Sequence, residues 1–330
     1  MPLQVLIVSK IPQLTEKVQA ALATAAPVGL EEGVKLVPVD PTSLTHPLDE
    51  ATLALLANAR VILGDPRTVV RLLPHAPKLE WMQSTFAGVE AILLQPRRDF
   101  VLTRAGGIMG LHMAQYVLGW IISKERMFHL APHYQAKKEF RAVEMRYRHF
   151  EHVTIGILGL GDIGTTIGQL VAAAGFRVLG LKRSSVSASD STDRFRVTSD
   201  MHALLAESDY IVNVLPSTDA TIDLLSGDVL QACKAKAPCL INVGRGDVVD
   251  EASLVRALDR GWLASAVLDV FAVEPLPAQS ELWAHPKVTV TPHVAALSMP
   301  EDVASVFVRN VAQFQAKSAF EYVFDWAKGY

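Results

Sequence analysis

Residues 153–175 read VTIGILGLGDIGTTIGQLVAAAG, and they place Gly159, Gly161 and Gly164 in the order G-x-G-x-x-G. An apolar β-branched run ends directly before the first glycine, and a helical run begins directly after the last. Such a glycine series is a weak signal alone, but with a strand before it and a helix after it the series constrains the fold strongly. The glycines permit a tight turn, let a bound group approach the backbone, and let the helix pack close to the strand. The helix start then offers unpaired amides and a partial positive charge to an anion. The expected occupant is the pyrophosphate of a dinucleotide, held by Gly159, Leu160, Gly161, Asp162, Ile163 and Gly164. Asp162 favours the helix start but would repel a phosphate in direct contact, so its carboxylate is expected to point away or to cap.

The rest of the chain alternates in the same way. LQVLIV, VKLVPV, RVILG, LEWMQS and FVLTR are separated by helical stretches over residues 3–105, and VTIGIL, RVLGLK, YIVNVL, CLINVG, SAVLDV and VTVTPH follow. Strand and helix taking turns predicts parallel sheets covered on both faces. A length of 330 residues suggests two domains. The expected fold class is α/β: two doubly wound domains, a flavodoxin-like substrate domain (1–104 and 294–330) and a Rossmann cofactor domain (105–293). The apolar stretch 110–126 is expected to be a buried linking helix, and a last helix around 300–317 to return to the first domain.

A net charge of −3 gives no reason to expect nucleic acid or an anionic membrane as partner. No window supplies the roughly 20 apolar residues of a membrane-spanning helix, and MPLQVLIVSK reads as a first strand rather than a secretion signal. Cys233 and Cys239 are the only cysteines, too few for a zinc site, so no metal is expected and both are read as reduced residues of a cytoplasmic protein.

In a dinucleotide site an acidic residue usually ends the second strand, where it grips the adenine ribose and selects NAD. Here Lys182 falls 23 positions after Gly159, followed by Arg183 and Ser184. Two cations and a hydroxyl would attract a 2′-phosphate, which makes NADP(H) the preferred cofactor and NAD(H) a possible one.

Three late segments place polar residues at strand ends: INVGRGDVVDE, AVLDVFAVEPLP and VTPHVAA. Ligands of open parallel sheets bind beyond the carboxyl ends of strands, so Arg245, Asp269, Glu274 and His293 are expected to converge. Arginine can hold a carboxylate through two parallel hydrogen bonds, and a histidine beside a carboxylate can supply a proton near neutral pH. That set suits hydride transfer to a carbonyl acid.

With LGLGDIG, INVGRGDVVDE, LDVFAVEPLP and TPHVAA in this order and spacing, the chain resembles the D-isomer-specific 2-hydroxyacid dehydrogenases, most closely the bacterial glyoxylate and hydroxypyruvate reductases. The resemblance implies a catalytic set of Arg245 for the substrate carboxylate and carbonyl, His293 as acid/base, and Glu274 to hold His293. It implies Asp269 at the nicotinamide carboxamide, with Val243 and His293 also beside the cofactor. Leu215, Pro216 and Thr221 of LPSTDAT would line the adenosine side. STFAGVE would be the substrate loop, with Phe86 beside the substrate and the amides of Ala87 and Gly88 receiving its carboxylate. It also implies a homodimer joined through the segment 110–147. Two departures from the family pattern stand out: Gln115 in place of an acidic residue, and Asp162 in place of an arginine. A cofactor-sensing corepressor-like scaffold and a short phosphoglycerate dehydrogenase are the alternatives that the same motifs allow.

Overall fold

The computed structural model describes residues 2–24, 33–44, 47–183 and 192–327. The chain forms two compact units, Met1–Met109 with Ser298–Tyr330, and Gly110–Leu297.

The first unit runs β1 (Leu3–Val8), α1 (Leu14–Thr24), β2 (Val34–Pro38), α2 (Glu50–Ala57), β3 (Val61–Gly64), α3 (Pro66–Val69), β4 (Trp81–Ser84), α4 (Glu90–Leu93) and β5 (Val101–Thr103). Its five strands lie in the order β2-β1-β3-β4-β5, all parallel, which is the flavodoxin-like arrangement. Successive side chains of a strand point to opposite faces, so the apolar runs Val5–Val8 of β1 and Val61–Leu63 of β3 serve two cores. Leu6, Val8, Ile62 and Met82 enter one of them. Val5, Ile7, Val61, Leu63 and Trp81 enter the other. The last helix, Pro300–Ala316, closes this second face: Phe307 stacks on Trp81 with ring centroids 5.3 Å apart, and buried Asn310 donates to Gln83 Oε1 at 3.0 Å.

The second unit runs α5 (Gly110–Glu125), α6 (Ala131–Lys137), β6 (Thr154–Leu158), α7 (Asp162–Ala173), β7 (Arg177–Leu181), β8 (Phe195–Thr198), α8 (Met201–Glu207), β9 (Tyr210–Asn213), β10 (Cys239–Asn242), α9 (Glu251–Asp259), β11 (Ser265–Leu268) and β12 (Val288–Val290). The order is β12-β11-β10-β9-β6-β7-β8, again all parallel. It is the Rossmann order with one strand added beyond β11. The direction of winding reverses between β6 and β9, where the loops after these strands part and leave a crevice.

Two expectations change here. The second sheet has a further strand, β8, that the apolar pattern did not reveal; FRVT is a half-exposed edge strand paired, among the described residues, only to β7, so it needs no strongly apolar face. The stretch 110–126 is not buried all round. Helix α5 buries one stripe of Gly110, Ala114, Val117, Ile121 and Glu125 at helical spacing, while Leu111 and Ile122 remain exposed.

Candidate active site

The glycine turn leaves β6 and enters α7 as the sequence predicts. Gly159 has φ +100°, a left-handed conformation that favours glycine. A Cβ on Gly164 would stand 1.9 Å from the Gly159 carbonyl oxygen, so only glycine lets the helix start so close to the turn. A Cβ on Gly161 would meet nothing within 4 Å. That combination, tight beneath and open at Gly161, fits a group that must approach the backbone from outside, and the turn can therefore hold a dinucleotide pyrophosphate. Leu160 packs against Gly180 of β7 and Ile163 joins the core, so their side chains anchor the turn. Asp162 is the exposed first residue of α7, whose N-cap is Gly161.

Lys182 is the first residue beyond β7, the second strand of the cofactor half, and its amide donates to the Thr198 carbonyl at 2.9 Å. Its neighbour Arg183 is exposed. Ser184 lies outside the described residues.

His293 and Glu274 meet as expected, with His293 Nδ1 2.9 Å from Glu274 Oε2. The other carboxylate oxygen of Glu274 accepts from the Phe271 amide at 3.1 Å, which fixes the acid in its own loop. The His293 side chain is half exposed and that of Glu274 largely covered. His293 sits at φ +55°, a region costly for most non-glycine residues. Its amide offsets part of that cost by donating to the carbonyls of Asp269 (2.9 Å) and Thr291 (3.1 Å). Arg245 follows β10, and its Nη1 donates to the Gly244 carbonyl at 2.8 Å. The loop of Glu274 rests on Gly246, where a Cβ would come within 1.9 Å of the Phe271 backbone. Glycine at 246 is thus what brings the arginine loop against the loop that carries Glu274.

Buried Asp269 proves to be the anchor of the histidine loop. Its Oδ1 accepts from the Thr291 hydroxyl (2.6 Å) and the Val294 amide (2.9 Å), and its Oδ2 from the Ala295 amide (2.9 Å). Thr291 in turn meets the Tyr116 hydroxyl of α5 at 2.6 Å. Burial pushes the Tyr116 phenol above its ordinary pKa.

Sequence reasoning missed a second supporting group. Asn213 and Asn242, both buried, end β9 and β10, and Asn213 Nδ2 donates to Asn242 Oδ1 at 2.8 Å. Asn213 Oδ1 accepts from the Leu215 amide, while Asn242 Oδ1 accepts from the Gly244 amide and its Nδ2 donates to the Arg245 carbonyl. Ser217 also bonds Asp247, and the Asp223 amide donates to the Asp247 carbonyl at 2.8 Å. The adenosine-side loop and the arginine loop are therefore stitched together. The Thr221 hydroxyl is engaged inside its own loop, donating to the Pro216 carbonyl at 2.6 Å and accepting from the Thr218 amide. Val243, buried after β10, donates its amide to the Asn213 carbonyl.

In the first unit, Phe86, Ala87 and Gly88 form the turn after β4. The Ser84 hydroxyl donates to the Phe86 carbonyl (2.8 Å) and accepts from its amide (3.0 Å). Phe86 is exposed.

Cys233 and Cys239 are free and buried, and burial pushes the Cys233 thiol up to about 12, well out of reach of thiolate chemistry. Among the described residues no cluster of three or more metal-ligating side chains occurs, and no helix is long and apolar enough to cross a membrane.

Comparison with known proteins gives the same reading. Residues 118–295 match the family profile of the D-isomer specific 2-hydroxyacid dehydrogenase NAD binding domain. A glyoxylate/hydroxypyruvate reductase A of Serratia proteamaculans is 32% identical over 268 residues, 78% of this chain and 84% of that protein. A D-isomer specific 2-hydroxyacid dehydrogenase family protein from Aeromonas salmonicida has a similar structure, with a TM-score of 0.82 and 33% identity over 98% of this chain and 99% of that one. So does an NADPH-dependent glyoxylate/hydroxypyruvate reductase from Sinorhizobium meliloti, solved with NADP and sulfate, at a TM-score of 0.81 and 28% identity over 99% of both chains. With its glycine turn, its paired His293 and Glu274 and its stitched arginine loop, this chain belongs to the D-isomer-specific 2-hydroxyacid dehydrogenases and is a nicotinamide-dependent enzyme of that family.

Proposed function

We propose that the protein reduces small 2-oxo acids, such as glyoxylate and hydroxypyruvate, to 2-hydroxy acids with NADPH. The observation that carries the proposal is the His293–Glu274 pair at 2.9 Å, with the loop of Glu274 packed against the loop of Arg245. The curated relative from Serratia and the NADP-bound neighbour from Sinorhizobium support the choice of substrate and cofactor.

The reduced nicotinamide, when bound, supplies the hydride that adds to the keto carbon. Arg245, a permanent cation, orients the substrate carboxylate and polarises the carbonyl, and the amides of Ala87 and Gly88 receive the carboxylate. Glu274 occupies Nδ1 of His293, which leaves Nε2 as the atom that gives its proton to the developing alkoxide. Asp269 fixes the loop of that histidine and stands by the carboxamide position. The glycine turn holds the pyrophosphate, Leu215, Pro216, Thr221 and Val243 flank the cofactor, and Lys182, Arg183 and Ser184 receive the 2′-phosphate.

The protein is proposed to work in the cytoplasm as a homodimer. Phe140 is fully exposed, Val143 and Tyr147 mostly so, and Tyr147 lines, with Trp120 and Met127, a cavity of about 700 Å³. Exposed aromatic surface next to a cavity suits a second copy of the chain.

The test is His293→Gln. Loss of a positioned acid should cut glyoxylate reduction by about 10²–10⁴-fold, with NADPH affinity by fluorescence titration nearly unchanged. A variant that reduced glyoxylate at close to the parent rate would remove His293 from the mechanism.

A further inference from the structure

We propose that the enzyme prefers 2-oxo acids bearing a second anionic group next to the keto carbon, and that Lys10 recognises that group. The inference rests on the assignment of Ala87 and Gly88 as the amides that take the substrate carboxylate.

The first sheet, ordered β2-β1-β3-β4-β5, reverses its direction of winding at β1. Ligands of such sheets bind beyond the carboxyl ends of the strands at the reversal, here between the loops that follow β1 and β3. The residues just past these two strands are Ser9, Lys10 and Asp65, and the next loop along, after β4, begins with Thr85 and Phe86.

One carboxylate ties all three loops together. Asp65, only 7% exposed, accepts from the Ser9 hydroxyl and the Thr85 hydroxyl through Oδ1, each at 2.6 Å, and from the Lys10 amide through Oδ2 at 2.7 Å. Ser9 also accepts from the Ile11 amide at 3.1 Å. A buried carboxylate is costly unless it is fully hydrogen-bonded, and the strand ladders of this sheet do not require one. What Asp65 secures is the backbone of Lys10, held one carboxylate away from the start of the substrate loop. The Lys10 side chain itself is exposed.

Charge then decides the class of substrate. A monocarboxylate such as glyoxylate is matched by the two amides. Lys10 adds a further positive charge at the edge that receives the substrate, and a second carboxylate or a phosphate on the neighbouring carbon would answer it. The reaction at the keto carbon is unaltered: hydride adds to C2, the carbonyl oxygen takes the proton from His293, and the second anionic group passes through unchanged.

The experiment measures kcat/KM at low ionic strength for glyoxylate, for ketomalonate, which adds a carboxylate, and for 3-phosphohydroxypyruvate, which adds a phosphate. It uses the intact protein, Lys10→Met and Lys10→Arg. At least one dianion is expected to exceed glyoxylate by about tenfold, and which one does so identifies the second group. Lys10→Met should lose about tenfold more on that dianion than on glyoxylate, chiefly through KM, and Lys10→Arg should recover most of the loss. Raising salt from about 0.05 to about 0.5 M should compress the preference, because an exposed charge is screened. Equal losses on all three substrates, or turnover of glyoxylate with no preferred dianion, would overturn the inference alone. No turnover of any of the three with either cofactor would overturn the reductase reading, and this inference with it.

Discussion

At the scale of single residues, the site depends on hydroxyls and cations whose partners are already in place. Thr291 is the middle of a chain from Tyr116 to Asp269, and at 2.6 Å on both sides its hydroxyl serves as acceptor to one and donor to the other. Thr291→Val keeps the shape and deletes the relay. The change should cost about 1–3 kcal/mol, since it strips a partner from two covered polar groups, and it should lower kcat by loosening the backbone of His293. A melting curve and a steady-state rate check both effects, and an unchanged kcat would mean that the two amides bonded to Asp269 suffice. Lys182 and Arg183 form the other residue-scale question. Arg183→Ala should raise the KM for NADPH by about tenfold while leaving that for NADH within about twofold, as expected when a charge-assisted contact to a 2′-phosphate is lost. An intact enzyme that favours NADH would remove the phosphate from the account.

At the scale of elements, the turn between β6 and α7 separates two duties of glycine. Gly164→Ala forces a methyl group into backbone 1.9 Å away, so it should destabilise the cofactor unit by about 1–3 kcal/mol and weaken NADPH binding together. Gly161→Ala meets no atom of the protein, so it should leave the melting temperature in place and weaken NADPH alone. Titration and calorimetry on both variants check the separation; equal destabilisation would show that Gly161 is structural too. Both sheets were legible in the sequence because their inner strands are apolar on both faces, as LQVLIV and VTIGIL are. Strand β8 was not, because an edge strand tolerates the mixed polarity of FRVT. The meeting of His293 with Glu274 was legible from motif spacing. The pair beneath them was not, although YIVN and CLIN both end a fully buried run with asparagine, and a buried amide at a strand end needs partners in the loops it precedes. Tyr116 and Thr291 left no such mark, since nothing local links residues 175 positions apart.

At the scale of the whole molecule, the strands of the second sheet have two unlike ends. Near their amino ends Glu125 accepts from Arg148 at 2.5 Å and 3.2 Å and from the Tyr210 hydroxyl at 2.7 Å. Asp209 accepts from Arg148 at 2.6 Å, from Lys236 and from the Thr154 amide. The hydrogen bonds that Arg148 donates to Glu125 raise its guanidinium above its ordinary pKa, and burial does the same to the Tyr210 phenol. Glu125→Gln leaves the Arg148 charge poorly answered. Arg148 is half exposed, so the expected cost is about 2–3 kcal/mol, below that of breaking a fully buried pair, with Tm lower by about 4–12 °C and kcat for glyoxylate retained. A large loss of kcat at unchanged Tm would contradict that division. β9 begins at Tyr210, beside Glu125, and ends at Asn213, beneath the site; β10 begins at Cys239 and ends at Asn242. The three steps from the first to the last residue of such a strand span about 10 Å, the separation at which mutational effects ordinarily stop interacting. Glu125→Gln and His293→Gln should therefore combine without epistasis, one setting how long the enzyme lasts and the other how fast it turns over. A lineage carrying this sheet can accumulate stability at one end of its strands as a reserve and spend it on new substrates at the other.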